Sequence, residues 1–227
     1  MRLNQSLIDP AKRLKGIVNW GQFLSPEDVE RTRVQVLSLR QHWVVVSPEV
    51  HQQRGAKGFF YRFGAGLTYL PSREHINRSV QGVLRNEFSW LYDKLFRFLE
   101  EKTGRECMFN DELTIPGFHI SELDIEALPK TFHVDNTVDQ CEVGYESDSI
   151  VSLISAGSSG AGLEYICPDS GEHKVLPYEH GVMYVWSQTL NHRFHMPGLR
   201  VLPGEARITL QGHYYVDPVT NKNVPFF

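Results

Sequence analysis

The fold is decided by the stretch GVMYVWSQTLNHRF (residues 181–194), in which an apolar run is followed by a polar corner and then by His192. A short apolar run bounded by turn-forming residues is typical of a buried β-strand. From residue 117 onward the chain repeats this pattern of short strand-like segments, with turn-forming residues every eight to twelve positions. That spacing predicts a β-sandwich or barrel.

The individual strands and helices follow from local patterns. We expect strands near residues 17–23, 44–46, 117–124, 130–135, 149–155, 162–167, 181–186, 192–196 and 207–216, and a strand or a loop over 58–64. Upstream, Ser25 and Pro26 are typical of a helix start and predict a helix over 25–40. Apolar residues spaced by three, four and seven predict a second, longer helix over 74–102.

Helices followed by a block of antiparallel strands fit one fold class in particular. We expect a mainly β protein with flanking α-helices, a double-stranded β-helix (jelly roll) buttressed by N-terminal helices. The chain of 227 residues suits a single domain, 1–227. Within it we expect an N-terminal elaboration of helices and strands over 1–116 and a jelly-roll core with the functional site over 117–227.

Composition narrows the functional class. The chain is 41% hydrophobic and 22% charged, with a formal charge of −4 and no long basic run, so nucleic acid is not expected as a partner. The sequence contains no run of eighteen consecutive apolar residues, so no membrane span is predicted. The three cysteines are widely spaced, which argues against a disulfide framework and predicts a reducing, cytoplasmic location.

The sequence His133-Val134-Asp135 has the spacing of a metal-binding pair. On a β-strand its outer residues share one face, about 6.6 Å apart along the strand, while Val134 points away. A second imidazole from a distant strand would complete a site of two histidines and one carboxylate. Such a site leaves coordination positions open and suits non-haem Fe(II).

Two histidines compete for the place of the third ligand. His192 and His195 lie on opposite faces of the same predicted strand, so only one can face the other ligands. His192 is our candidate for the third ligand, and His195 stays the alternative. His119 and His213 are candidates for lining the pocket.

The sequence Arg207-Ile208-Thr209 predicts an anion-binding pair. Strand alternation places Arg207 and Thr209 on one face and Ile208 on the other. A guanidinium fork beside a hydroxyl is well suited to hold a carboxylate.

These five residues together resemble the motif of the Fe(II)/2-oxoglutarate-dependent oxygenases. That motif is H-x-D, then a distant His, then an Arg followed two residues later by Ser or Thr. Here it corresponds to His133, Asp135, His192, Arg207 and Thr209, in the same order, within the C-terminal half. The resemblance implies a dioxygenase that uses Fe(II), with 2-oxoglutarate and O2 as co-substrates.

The same resemblance assigns a role to each residue. It implies that His133, Asp135 and His192 are the metal ligands and catalytic residues, and that Arg207 and Thr209 bind 2-oxoglutarate. The alkylated-nucleobase repair branch carries a further arginine downstream of the first, and this is missing after Arg207. We therefore expect hydroxylation of a small molecule such as an amino acid or a biosynthetic intermediate.

Other functions remain open from the sequence. A jelly-roll or cupin-like module could bind a metal or a partner without turning over 2-oxoglutarate. A zinc hydrolase could use the same three ligands with a metal-bound water. The Arg207 and Thr209 pair separates these alternatives, because hydrolysis requires no such carboxylate clamp. The oligomeric state is not indicated by any pattern.

Overall fold

The computed structural model describes residues 14–42, 44–45, 59–63, 78–109, 117–122, 132–134, 147–155, 162–195, 206–217 and 219–226. The helices are α1 (Pro26–Ser38), α2 (Arg78–Glu87) and α3 (Ser89–Thr103). The strands are β1 (Val18–Gln22), β2 (Val44–Val45), β3 (Phe59–Phe63), β4 (Gly117–Glu122), β5 (Ser147–Ser155), β6 (Gly162–Ile166), β7 (His173–Pro177), β8 (Val182–Ser187), β9 (His192–His195), β10 (Arg207–Val216) and β11 (Asn223–Phe226).

A large antiparallel sheet carries most of these strands in the order β1-β8-β5-β10-β4-β3-β2. The long strand β10 is central, with β5 along one edge. Its other edge is shared by β4, which pairs with residues 207–211, and β11, which pairs with residues 213–216. At the end of the sheet β1 pairs with β8, so the N-terminal part of the chain contributes to the same sheet as the C-terminal part.

A smaller antiparallel sheet has the order β7-β6-β9. Residues 132–134 join its β9 side through a bridge between His133 and His192. The two sheets meet where the His192 ring lies 4.9 Å from the ring of Trp186 on β8. Two opposed antiparallel sheets with helices on one side form the jelly roll predicted from the sequence, and the expected fold class is confirmed.

The outer face of the large sheet packs against the helices. Ile208 and Leu210 of β10 belong to the same buried cluster as Leu91, Leu95 and Leu99 of α3. Burying each such side chain stabilises the fold by roughly 1.5–3 kcal/mol. Because this face is covered by helices, the alternate residues of β10 point into the space between the two sheets.

The start of α1 agrees with the sequence prediction. The Ser25 hydroxyl accepts from the Asp28 amide at 3.2 Å, and the Asp28 carboxylate accepts from the Ser25 amide at 3.3 Å. This reciprocal capping box satisfies amides that the first turn leaves without helical partners. Pro26 occupies the first helical position, where its missing amide costs nothing.

The prediction of one continuous helix over 74–102 is wrong. The structure divides it into α2 and α3 at Phe88, whose φ of −116° and ψ of 19° are not helical. Phe88 is buried and its ring lies 5.0 Å from that of Phe118 on β4, so packing on the sheet outweighs local helix propensity. Both helices are short, and no helix within the described ranges combines the length and apolar character that a membrane crossing requires.

The strand predictions differ from the structure at three places. The strand expected over 130–135 is described only for residues 132–134, and there as a single bridge at His133. The sequence analysis missed β7 and β11. The β7 strand has largely exposed side chains at the sheet edge, so its sequence lacks apolar alternation.

Gly181, the residue before β8, packs closely against the segment that leads into α1. Its φ is +73°, and its carbonyl accepts from the Phe23 and Leu24 amides at 2.8 and 2.9 Å. A methyl group added there would fall against the Leu24 carbonyl oxygen and come within 2.9 Å of Val29. We expect Gly181→Ala to lower the free energy of unfolding by about 2–4 kcal/mol, as measured by urea denaturation.

Gly104 provides a matched control, because alanine there would meet the cost of a positive φ without the steric contact found at Gly181. Its φ is +67° at the end of α3, and an added methyl group would meet no described atom within 4 Å. Gly104→Ala should therefore cost only about 1–2 kcal/mol. Equal losses for the two variants would contradict the close approach at Gly181.

Candidate metal centre

Two imidazole rings meet where residues 132–134 join β9. The amides of His133 and His192 each donate to the other residue's carbonyl at 2.9 Å. Residues paired directly across antiparallel strands project to the same face, so this pairing brings the two side chains together. Their ring centroids lie 4.6 Å apart, with the planes inclined at 45°. Two imidazoles at this separation are able to bind a single metal ion.

A backbone carbonyl orients the His192 ring. The Nδ1 atom lies 2.9 Å from the carbonyl oxygen of Leu190, two residues earlier in the turn before β9. Because a carbonyl oxygen only accepts, this contact places a proton on Nδ1, and in the neutral ring the lone pair is then on Nε2. A neutral imidazole with its second nitrogen held in this way is the usual form of a metal-binding histidine.

An aromatic wall leads from the histidine pair toward β10. Trp186 contacts His192, and Tyr184 lies two residues away on the same face of β8. Tyr184 in turn packs edge-on against Tyr178, with ring centroids 5.3 Å apart. The Tyr178 ring centroid is 5.8 Å from the guanidinium carbon of Arg207. Aromatic side chains on β8 and in the connection before it therefore lie beside both the histidine pair and the arginine.

Arg207 presents a positive charge in this interior space. The residue is only 1% exposed, and burial lowers the pKa of its guanidinium, while the neighbouring Tyr178 opposes that shift. Removing a cation from water is costly unless an opposite charge or hydrogen bonds replace the lost hydration. An anionic ligand bound beside the guanidinium would contribute to offsetting that cost.

Thr209 lies two residues farther along β10 and faces the same way. Its side chain is fully buried, and none of the described protein groups forms a hydrogen bond with its hydroxyl. A buried hydroxyl without a hydrogen bond costs about 1–3 kcal/mol. Guanidinium and hydroxyl together fit a ligand carboxylate, which accepts from both donors.

The structure thus brings together some of the residues selected from the sequence. His133 and His192 are adjacent, and Arg207 and Thr209 share the interior face of β10, opposite Ile208. The third candidate ligand, Asp135, lies outside the described residues. Among the residues that are described, no three His, Cys, Asp or Glu side chains form a metal-binding group, and the facial triad stays a prediction.

Some contacts around the site carried no sequence signal. Tyr178 lies in the connection between β7 and β8, and nothing in the local pattern places it beside Arg207. The Leu190 carbonyl that orients His192 belongs to the backbone and is invisible to residue patterns. His213, a candidate for lining the pocket, follows the parity of Arg207 on β10 and pairs with Phe226 of β11.

The chain has the jelly-roll fold of the 2-oxoglutarate/Fe(II) oxygenases, as comparison with solved structures shows. No protein-family model and no curated protein matches its sequence. AviO1 from Streptomyces viridochromogenes Tue57 is similar to it with a TM-score of 0.53 at 15% identity, over 97% of this chain and 98% of that one. At this identity the likeness concerns the fold alone.

Two further structures illustrate the range of proteins with this fold. The epimerase SnoN, solved in complex with Fe3+, alpha-ketoglutarate and nogalamycin RO, has a TM-score of 0.53 at 11% identity, over 91% of this chain and 84% of that one. A prolyl hydroxylase from Trichoplax adhaerens, in complex with a peptide fragment of hypoxia inducible factor, has a TM-score of 0.50 at 13% identity, over 91% and 84%. One of these complexes holds a small molecule and the other a peptide.

Proposed function

We propose that the chain is an Fe(II)/2-oxoglutarate-dependent dioxygenase. The observation that carries the proposal is the contact between His133 and His192, whose rings lie 4.6 Å apart in a fold that also buries Arg207. A jelly roll built only for packing gains little by gathering two imidazoles and a guanidinium between its sheets. Polar residues that converge inside a fold are the usual mark of a binding site.

His133, His192 and Asp135 would hold the metal. The His192 ring is held by the Leu190 carbonyl with its Nε2 lone pair directed away from the backbone contact, and this favours a preformed ligand. Two imidazoles and a carboxylate suit ferrous iron more than a closed structural zinc site, because they leave positions open. Bound Fe(II), with 2-oxoglutarate and O2, supplies an oxidant able to hydroxylate a C–H bond, with succinate and carbon dioxide as by-products.

Arg207 and Thr209 would bind the distal carboxylate of 2-oxoglutarate. The charge-assisted contact with the guanidinium orients the co-substrate, and the Thr209 hydroxyl gains the partner that the described protein groups do not provide. Tyr178, Tyr184 and Trp186 would exclude water from the space between this clamp and the histidines. A dry environment strengthens each of these electrostatic contacts.

For the primary substrate we propose a small molecule, hydroxylated at carbon. The proposal is supported by the aromatic side chain of Trp186 next to His192 and by the absence of a long basic run in the sequence. The small-molecule complex of SnoN is consistent with this choice. A peptide substrate, as in the prolyl hydroxylase complex, is the outcome that a substrate screen would have to exclude.

The experiment that tests the function is succinate formation from 2-oxoglutarate with Fe(II) under air, screened against panels of small molecules and peptides. We expect a small molecule to stimulate turnover above the level without substrate. 2-Oxoglutarate at about 100 times its Kd should also stabilise the iron-loaded protein by about 2.7 kcal/mol, a rise of roughly 5–10 °C in Tm. If no substrate stimulates succinate formation and 2-oxoglutarate does not stabilise the protein, the chain would instead be a metal-binding or interaction module.

Thr209→Val separates the two roles of the buried hydroxyl. Because the change removes a polar group that the described protein leaves unsatisfied, we expect the free energy of unfolding without ligand to rise by about 1 kcal/mol. The same change should raise the Kd of 2-oxoglutarate about tenfold through the lost hydrogen bond. Urea denaturation and calorimetric titration measure the two effects.

Thr32 offers the matched control. It is equally buried, but its hydroxyl donates to the Asp28 carbonyl at 2.7 Å within α1. Thr32→Val should therefore lower stability and leave the affinity for 2-oxoglutarate unchanged. If both valine variants were destabilised alike, the assignment of Thr209 to a ligand would be contradicted.

A further inference from the structure

The residues next to the paired histidines contact each other on the opposite face of the small sheet. Phe132 precedes His133, and Arg193 follows His192, so antiparallel pairing sets them side by side with reversed parity. The guanidinium carbon of Arg193 lies 4.4 Å from the centroid of the Phe132 ring. This is the geometry of a cation–π contact, which is worth about 0.5–2 kcal/mol depending on burial.

A buried carboxylate fixes the position of Arg193. The side chain of Glu164 on β6 is only 7% exposed, and its Oε2 atom lies 2.8 Å from both Nε and a terminal nitrogen of Arg193. Its other oxygen lies 3.0 Å from Nδ1 of His173 on the edge strand β7. The His173 ring packs edge-on against Phe132 at 5.1 Å. These four side chains, Phe132, Glu164, His173 and Arg193, are called the outer cluster below.

The contact between Phe132 and Arg193 in the outer cluster affects the strand register in which His133 pairs with β9. The described part of this segment, residues 132–134, is attached to β9 by a single bridge with two backbone hydrogen bonds. A slip of one residue in a strand moves every side chain to the opposite face. Such a slip would turn the imidazole of His133 away from His192 and place Phe132 in the metal site. The contact of Phe132 with the anchored Arg193 opposes it.

We propose that the outer cluster is a positioning device, which holds His133 in register with His192 so that both imidazoles reach one metal ion. This inference rests on the proposed function, since it concerns the metal that the two histidines would bind. It adds residues that touch neither the metal nor a substrate and that act through the backbone of their neighbours. Outer residues that orient metal ligands typically change metal affinity 10- to 100-fold when they are replaced.

Two variants test the inference. Phe132→Leu keeps apolar bulk but removes the aromatic face, and Arg193→Met keeps the aliphatic stem but removes the guanidinium. We expect each to weaken the affinity for Fe(II) about 10- to 100-fold, measured anaerobically by competition with a chelating dye. Phe132→Tyr, which retains the ring, should restore affinity to within about threefold of that of the unaltered chain.

Two further variants separate positioning from general stability. Val36→Ala removes apolar bulk from the fully buried core beneath α1 and should lower Tm without changing the Fe(II) affinity. Arg33→Met removes an arginine from a surface ion pair with Glu30 and should change neither property. The visible spectrum of bound Co(II) is a second readout, because altered ligand geometry shifts its bands while a loss of stability alone does not.

The outcomes are distinguishable. If the unaltered chain binds no Fe(II), the proposed function is wrong and the outer cluster has no metal to position. If it binds Fe(II) but Phe132→Leu and Arg193→Met bind equally well, only the inference is overturned. The inference is also overturned if Val36→Ala weakens binding as much as they do, since affinity would then simply follow stability.

Discussion

Replacement of His192 by alanine is expected to reduce 2-oxoglutarate-dependent succinate formation by more than about 100-fold. Outer residues around a metal ligand already account for 10- to 100-fold, so a ligand itself should exceed that range. His192 is buried, its Nδ1 is held by the Leu190 carbonyl, and its ring lies 4.6 Å from that of His133. The measurement is a succinate assay with saturating Fe(II), together with the Kd of the metal.

His195→Ala is the matched control for this prediction. The residue lies on the same strand β9, three positions after His192. From the sequence, strand alternation predicts opposite faces for two residues at this spacing. We expect its replacement to leave succinate formation within about twofold, the ordinary effect of a change away from the site. Loss of activity in His195→Ala and retention in His192→Ala would reverse the choice between the two histidines.

Arg207→Met is expected to raise the Kd of 2-oxoglutarate by about 100-fold. Hydrogen bonds to a charged group contribute about 1.5–3 kcal/mol, and each 1.4 kcal/mol is a factor of ten in affinity. Because Arg207 is buried, methionine in its place should not destabilise the ligand-free protein, and replacement of a buried charge by apolar bulk is often neutral or stabilising. Calorimetric titration of the metal-loaded protein gives the Kd.

The specificity of that effect is checked in two ways. Fe(II) affinity in the absence of 2-oxoglutarate should be unchanged, since Arg207 lies on β10 and is not one of the proposed metal ligands. Arg207→Lys retains the charge but not the planar guanidinium fork. Its Kd for 2-oxoglutarate should therefore fall between those of the unaltered protein and Arg207→Met. Unaltered 2-oxoglutarate binding in Arg207→Met would contradict the carboxylate clamp.

Strand parity was the part of the structure that residue patterns predicted best. Alternation along residues 207–216 predicted the face of Ile208, which packs in the same buried cluster as the helices, and predicts the opposite face for Arg207 and Thr209. The capping pattern at Ser25 likewise predicted the start of α1. Both predictions rest on local chemistry, in which a residue's environment depends on its immediate neighbours in the chain.

Features that depend on distant contacts were not predictable in this way. The break at Phe88 has neither glycine nor proline to mark it and arises from packing against Phe118 of β4. Tyr178 reaches Arg207 only because the chain returns between β7 and β8. The outer cluster combines side chains from β6, β7, β9 and the segment at Phe132, a convergence that no periodicity reveals.

The proposed metal site combines both kinds of feature. The spacing of His133 and Asp135 predicts a pair of ligands on one strand, and the structure places the His133 ring beside that of His192. Asp135 lies outside the described residues, so the carboxylate arm of the triad stays a prediction. Asp135→Asn variants, studied alongside His192→Ala, would extend the same metal-affinity measurement to it.

One measurement tests the central claim most directly: anaerobic titration of the iron-loaded protein with 2-oxoglutarate, followed by visible absorption. If 2-oxoglutarate chelates a ferrous ion held by the histidine pair, a weak charge-transfer band should appear and saturate as the co-substrate is added. The band should be absent in His192→Ala and should require far more 2-oxoglutarate in Arg207→Met. A chain that shows no band at any concentration, and whose Tm does not rise with 2-oxoglutarate, would contradict the proposed oxygenase.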